Sequence, residues 1–168
     1  GHVGDGVRRS AVAVSARDYR DEVYFASEPE AEPPFPPEEL AGRIARIRAR
    51  MAADGIATLV VTAPEGMYYA TGYQCEWYQA QGPREWPAAS CVVVRGDGGA
   101  ILFDSEREAV LGRIFATIDG RRYFPRTALR GGAAFVVDEL RALGWLDGPV
   151  GIERRSYRPN PELSDETV

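Results

Sequence analysis

Hydrolytic and nucleophilic chemistry needs converging side chains: several His, Asp, Glu or Cys around a cation, or a base beside a Ser or Cys. This chain offers one histidine, His2, at its extreme beginning, and two cysteines, Cys75 and Cys91, that form neither a C-x-x-C nor any other metal-ligand spacing. It contains no G-x-x-x-x-G-K-[ST], no G-x-G-x-x-G after a strand, no G-x-S-x-G and no H-E-x-x-H. A carboxylate pair is arithmetically available, but Asp and Glu fall mostly at helix starts and turns, where capping accounts for them. Neither catalytic residues nor a metal site is expected within the chain itself.

One segment has the content of a binding surface. Over residues 73–87 the aromatics Tyr73, Trp77, Tyr78 and Trp86 interleave with Gln74, Glu76, Gln79, Gln81 and Arg84 in a stretch that reads as loop. Aromatics bury area at low entropic cost, and a guanidinium holds a carboxylate through two parallel hydrogen bonds. Trp77, Tyr78, Arg84 and Trp86 are therefore the candidate recognition residues. The competing reading, which applies above all to Trp77 and Tyr78, is that the rings fold back onto a sheet edge as core.

The elements that would position this loop are legible from periodicity. Residues 1–35 form an acidic, Pro-rich lead-in without sustained pattern, expected to be mobile, and 36–168 form one domain. A helix is predicted from Pro37-Glu38-Glu39, with Leu40, Ile44, Ile47 and Met51 on its core face. Arg43, Arg46 and Arg50 lie on a solvated face, and the stop is at Gly55. Residues 56–62 are continuously apolar or β-branched, which predicts a strand covered on both faces. A short helix over 64–70 ends at Gly72.

Strands at 88–95 and 100–103 flank Gly96-Asp97-Gly98-Gly99, a hairpin signal. Ser105-Glu106-Arg107-Glu108 reads as a capping box opening a helix through Val110, Leu111, Ile114 and Phe115. A strand at 121–125 follows, then a helix over 131–143 with Phe135, Val136, Leu140 and Leu143 inward, and a strand at 149–153. The order predicts an α/β fold: a mixed β-sheet flanked by helices on both faces.

Composition narrows the partners. At 168 residues the chain suits one domain with a real core. Its 25 acids outweigh 20 bases, all of them Arg, for a net charge of -5, and no basic stripe exists to neutralise phosphates, so nucleic acid is not an expected partner. No apolar run approaches the roughly 20 residues of a membrane span, and the apolar stretch at 11–16 is too short for a signal peptide. A lone cysteine pair points to a reduced, cytoplasmic protein.

Four patterns together carry a family likeness: Phe35-x-x-Glu38-Glu39-Leu40-x-x-Arg43-Ile44; Met51-x-x-x-Gly55-Ile56; Leu59-Val60-Val61; and Pro64-Glu65-x-x-Tyr68-Tyr69-x-Thr71-Gly72-Tyr73. They resemble the N-terminal domain shared by creatinase, Xaa-Pro dipeptidase (prolidase) and aminopeptidase P, the "pita-bread" metallohydrolases; Val150-Gly151-Ile152-Glu153 and Ser156-Tyr157 match its later part. The resemblance implies a non-catalytic domain that precedes a separate catalytic one. There, two Asp, a His and two Glu hold a pair of divalent metals (Mn, Co or Zn), whereas creatinase works without metal.

It further implies a homodimer in which this domain leans over the partner's active site. The loop after Tyr73 then contributes Trp77, Tyr78, Arg84 and Trp86, with Arg84 on the carboxylate of a small peptide or similar substrate. Family domains continue with another helix and strand, which this sequence would lack, leaving a sheet edge open to pairing. The alternative is a free-standing binding module that has lost its catalytic half.

Overall fold

The computed structural model describes residues 30–74, 89–125 and 132–153. Helix α1 spans Pro37–Ala53, with Pro37 in the first turn and Glu38 and Glu39 at the positive end of its dipole. It stops where Gly55 takes a φ of 69°, and the chain reverses so that Ile56 N donates to Met51 O at 2.8 Å. Strand β1 (Thr58–Val61) leads to helix α2 (Pro64–Thr71), which Gly72 terminates in the left-handed conformation. Strands β2 (Cys91–Arg95) and β3 (Ala100–Ser105) form the predicted hairpin across Gly98 and Gly99, both at positive φ. Helix α3 (Ala109–Phe115), strand β4 (Gly120–Phe124), helix α4 (Gly132–Ala142) and strand β5 (Val150–Ile152) complete the described chain.

The five strands lie in the order β4-β3-β2-β1-β5. β1 with β2 and β2 with β3 are antiparallel, whereas β1 with β5 and β3 with β4 are parallel. The sheet is therefore mixed, as the element order predicted. Because side chains alternate along a strand, β2 and β3 feed two cores at once. Val92, Val94, Ala100 and Leu102 join Met51, Val61, Met67 and Ala70 under α1 and α2. Cys91, Val93, Ile101 and Phe103 join Val60, Ala133, Val136 and Leu140 under α4. The unbroken apolar runs of these strands follow directly from being covered on both faces.

Three local expectations are corrected. Ser105 does accept from Arg107 N, at 3.3 Å, but what it opens is a 3₁₀ turn over Glu106–Glu108, and the α-helix begins only at Ala109. Leu143 is 43% exposed instead of buried. The helix has ended one residue earlier, and Trp145, whose N donates to Leu140 O at 2.9 Å, fills that side of the core. The arginine face of α1 is only partly solvated. Arg48 donates to Arg95 O at 2.9 Å and Gly99 O at 3.0 Å, tying the helix to the hairpin turn, while Arg50 pairs with Asp54 near the surface.

One carboxylate fastens the parallel edge strand to α2. Glu153, directly after β5, accepts from Thr62 N at 2.8 Å and Ala63 N at 2.7 Å, backbone donors in the turn between β1 and α2, Ala63 being the residue that caps the helix. Gly66 leaves room for it: a Cβ there would lie 2.6 Å from Val61 Cγ1 and 3.1 Å from Glu153 Oε1. Substituting Glu153→Ala strands both donors, so we expect a loss of about 1–2 kcal/mol, read as a lower urea midpoint with unchanged slope.

Candidate functional site

The four candidate recognition residues, Trp77, Tyr78, Arg84 and Trp86, lie outside the described residues. In the chain they are flanked by Tyr73 and Gln74 on one side and by Ala89 and Ser90 on the other. The first flank is built by the end of α2. Thr71 Oγ1 donates to Met67 O at 2.8 Å and accepts from Tyr73 N at 3.1 Å, while Thr117 N donates to Thr71 O at 2.9 Å. Gly72 then makes the turn at a φ of 75°, packed so closely that a Cβ would lie 2.9 Å from Pro34. Its left-handed conformation and this contact both require glycine.

The turn aims Tyr73 inward. Grouped by sequence with the recognition aromatics, Tyr73 is in fact core, 1% exposed, and its hydroxyl donates to Asp104 Oδ2 at 2.5 Å. On the other side, Ser90 Oγ donates to Asp104 Oδ1 at 2.5 Å, and Ser105 N donates to the same oxygen at 2.7 Å. Asp104 is itself 1% exposed at the end of β3. Neither Asp104 nor Ser90 was singled out by sequence. The available signal was a carboxylate breaking the apolar run Ala100-Ile101-Leu102-Phe103.

The residues that carried the family likeness have a visible structural role. Phe35 and Tyr68 stack edge to face at 5.4 Å. The Arg43 guanidinium lies 4.0 Å from the Phe35 ring centre and 5.0 Å from that of Tyr69, donates to Tyr69 O at 3.1 Å and pairs with Glu39. Arg46 adds a hydrogen bond to the Tyr69 hydroxyl at 3.3 Å. This cluster clamps α1 to α2, and so supports Gly72 and Tyr73 from behind.

Among the described residues no group of three or more His, Cys, Asp or Glu is placed to hold a cation. The inward carboxylates are taken up internally: Asp104 as above, Glu153 by α2, and Asp119 by Ala100 N at 3.0 Å. A cleft of about 300 Å³ between α1 and the approach to β4 is lined by Leu40, Ile44 and Ile118, with Arg48 and Asp119 already hydrogen-bonded to backbone. Among the described residues no helix is long and apolar enough to cross a membrane.

Comparison with known proteins fits this geometry. Residues 43–159 match the model of the creatinase/prolidase N-terminal domain. Ectoine hydrolase of Halomonas elongata is 29% identical over 132 residues; the match spans 74% of this chain but only 31% of that enzyme. An Xaa-Pro aminopeptidase structure from Streptococcus pyogenes superposes with a TM-score of 0.52 at 19% identity, covering 70% of this chain and 76% of that one. A dipeptidase from Pyrococcus horikoshii OT3 gives 0.55 at 13% identity, covering 74% and 31%.

Cys91, next after Ser90, is fully buried. Burial, then the nearby charge of Asp104, pushes its thiol far above the ordinary range. Above a pH of about 8.5 the unfolded thiol ionises while the folded one stays protonated, so this group lowers stability as pH rises. In a Cys75→Ser background, Cys91 should resist a thiol reagent at pH 8 until urea unfolds the chain, and Cys91→Ala should flatten the alkaline fall in stability.

Proposed function

This chain belongs to the creatinase/prolidase N-terminal domain family, and from that premise we propose that it is the non-catalytic, substrate-shaping half of a larger hydrolase. The parent would act on Xaa-Pro peptides or related C–N bonds with a divalent metal pair held in a separate catalytic domain. The family match over residues 43–159 carries this reading. It is supported by the lack, among the described residues, of any cation-holding group, and by the chain's one histidine being His2. The peptidases among the structural relatives share this fold.

Within the parent, this domain would pair with a second subunit and present the segment that follows Tyr73 to the partner's active site. Trp77, Tyr78 and Trp86 would wall the substrate, and Arg84 would hold its carboxylate in bidentate fashion. No step of bond cleavage is assigned to this chain. Its contribution is orientation, which lowers the entropy that the reacting groups lose on alignment.

The match to ectoine hydrolase favours a second reading for the substrate, a small carboxylate-bearing ring compound such as ectoine in place of a dipeptide. Turnover of ectoine against Xaa-Pro dipeptides by the full-length enzyme separates the two.

Two measurements test the assignment. In the full-length enzyme, Arg84→Ala should raise KM for carboxylate-bearing substrates about tenfold or more with kcat little changed, the loss of one charge-assisted pair. An unchanged KM removes Arg84 from the substrate. The isolated chain with added manganese or cobalt should hydrolyse no Xaa-Pro dipeptide, and turnover by pure chain would overturn the non-catalytic role.

A further inference from the structure

The cleft of about 300 Å³ beside α1 has the make-up of a small-molecule site, an apolar wall with a few fixed polar groups. Leu40 and Ile44 of α1 and Ile118 of the approach to β4 supply the wall, while Arg48 and Asp119 bring one charge of each sign. Its volume is at the low end for such sites, which suits a compact ligand.

Opposite charges that line one cleft gain by pairing, yet here a single peptide group holds them apart. Arg48 Nη2 donates to Gly99 O at 3.0 Å, and Ala100 N donates to Asp119 Oδ2 at 3.0 Å. That carbonyl and that amide belong to one peptide and, in the trans form, point to opposite sides of it. Two such bonds set Nη2 and Oδ2 no more than roughly 8 Å apart. Arg48 Nε is also taken, by Arg95 O at 2.9 Å. Among the described residues Arg48 Nη1 and Asp119 Oδ1 have no hydrogen bond, and no ion pair joins the two side chains. Asp97 feels the Arg48 charge but is itself paired with Arg95 at 3.0 Å.

A ligand that uses both remaining atoms must carry an anion and a cation a short distance apart. In an α-amino acid these groups lie roughly 3 Å apart, and a charge-assisted hydrogen bond at each end brings the span to roughly 8 Å as well. We propose that this cleft binds a free α-amino acid with an aliphatic side chain. Its carboxylate accepts from Arg48 Nη1, its ammonium donates to Asp119 Oδ1, and its side chain packs on Leu40, Ile44 and Ile118. The wall selects the side chain and the fixed charges select the zwitterion. None of these residues belongs to the segment after Tyr73, so the site does not rest on the substrate reading above.

Titration calorimetry of the chain with L-leucine tests it. Saturable binding with a Kd of about 1 mM or tighter is expected, and no saturation by about 10 mM overturns the site. L-Leucinamide lacks the anion, 4-methylpentanoate lacks the cation and glycine lacks the apolar side chain; each should bind about tenfold more weakly or worse. Any one of them binding as well as leucine overturns the proposed ligand. Asp119→Asn keeps an oxygen for Ala100 N and removes the charge, so leucine affinity should fall about tenfold or more while the urea midpoint changes little. Ala41→Phe, at an exposed position of α1 that lines the cleft, should fill it and abolish binding. Unchanged affinity in either folded variant overturns the site. Should Asp119→Asn fail to fold, Ala41→Phe and the three ligand analogues decide the matter.

Discussion

A carboxylate taken out of water must find donors for its oxygens or it will not remain charged and buried. Asp104 meets that requirement with Tyr73, Ser90 and the amide of Ser105, and much of the surrounding architecture exists to deliver those three donors. Tyr73 reaches it because Gly72 turns through the left-handed region. Gly72 in turn is confined by Pro34 on one side and faces the backbone of Phe115, 3.4 Å from where a Cβ would be, on the other. Ser90 reaches it because β2 begins one residue later, in register with β3, where Cys91 lies opposite Phe103.

The remaining polar contacts follow the same logic of one side chain serving backbone groups from different elements. Arg48 ties α1 to the hairpin turn through two carbonyls. Thr58 Oγ1 donates to Trp145 O at 2.5 Å, joining the start of β1 to the turn after α4, and Arg121 holds Gly112 O and Ala116 O at the end of α3. Each brings a further donor to carbonyls near strand or helix ends, among them Gly99 O and Gly112 O, which also accept from Arg95 N and Ala116 N. The two cores supply the driving force through apolar burial, and these contacts decide which loops meet.

Arg43 shows how motif residues and functional residues differ. It has a side chain only 12% exposed, layered between Phe35 and Tyr69, and it was read from sequence as part of a solvated face. The part of the family pattern that lies in Phe35, Arg43, Tyr68 and Tyr69 is thus a packing device for α1 on α2. The residues proposed to meet substrate stand elsewhere, beyond the turn that this packing supports.

Sequence alone determined the element order, the hairpin, both helix stops at Gly55 and Gly72, and a sheet covered on two faces, because these depend on local torsions and on periodicity within a few residues. It also identified a family likeness from motif spacing. It misplaced Tyr73 and Leu143 and missed Asp104 and Ser90, because their roles depend on partners distant in the chain: Tyr73 meets Asp104 across 31 positions, and Ser90 meets it across 14. Only the tertiary structure could decide that, since the pairing of β2 with β3 brings Ser90 and Asp104 to one end of the sheet, and the Gly72 turn delivers the phenol to the same oxygen pair.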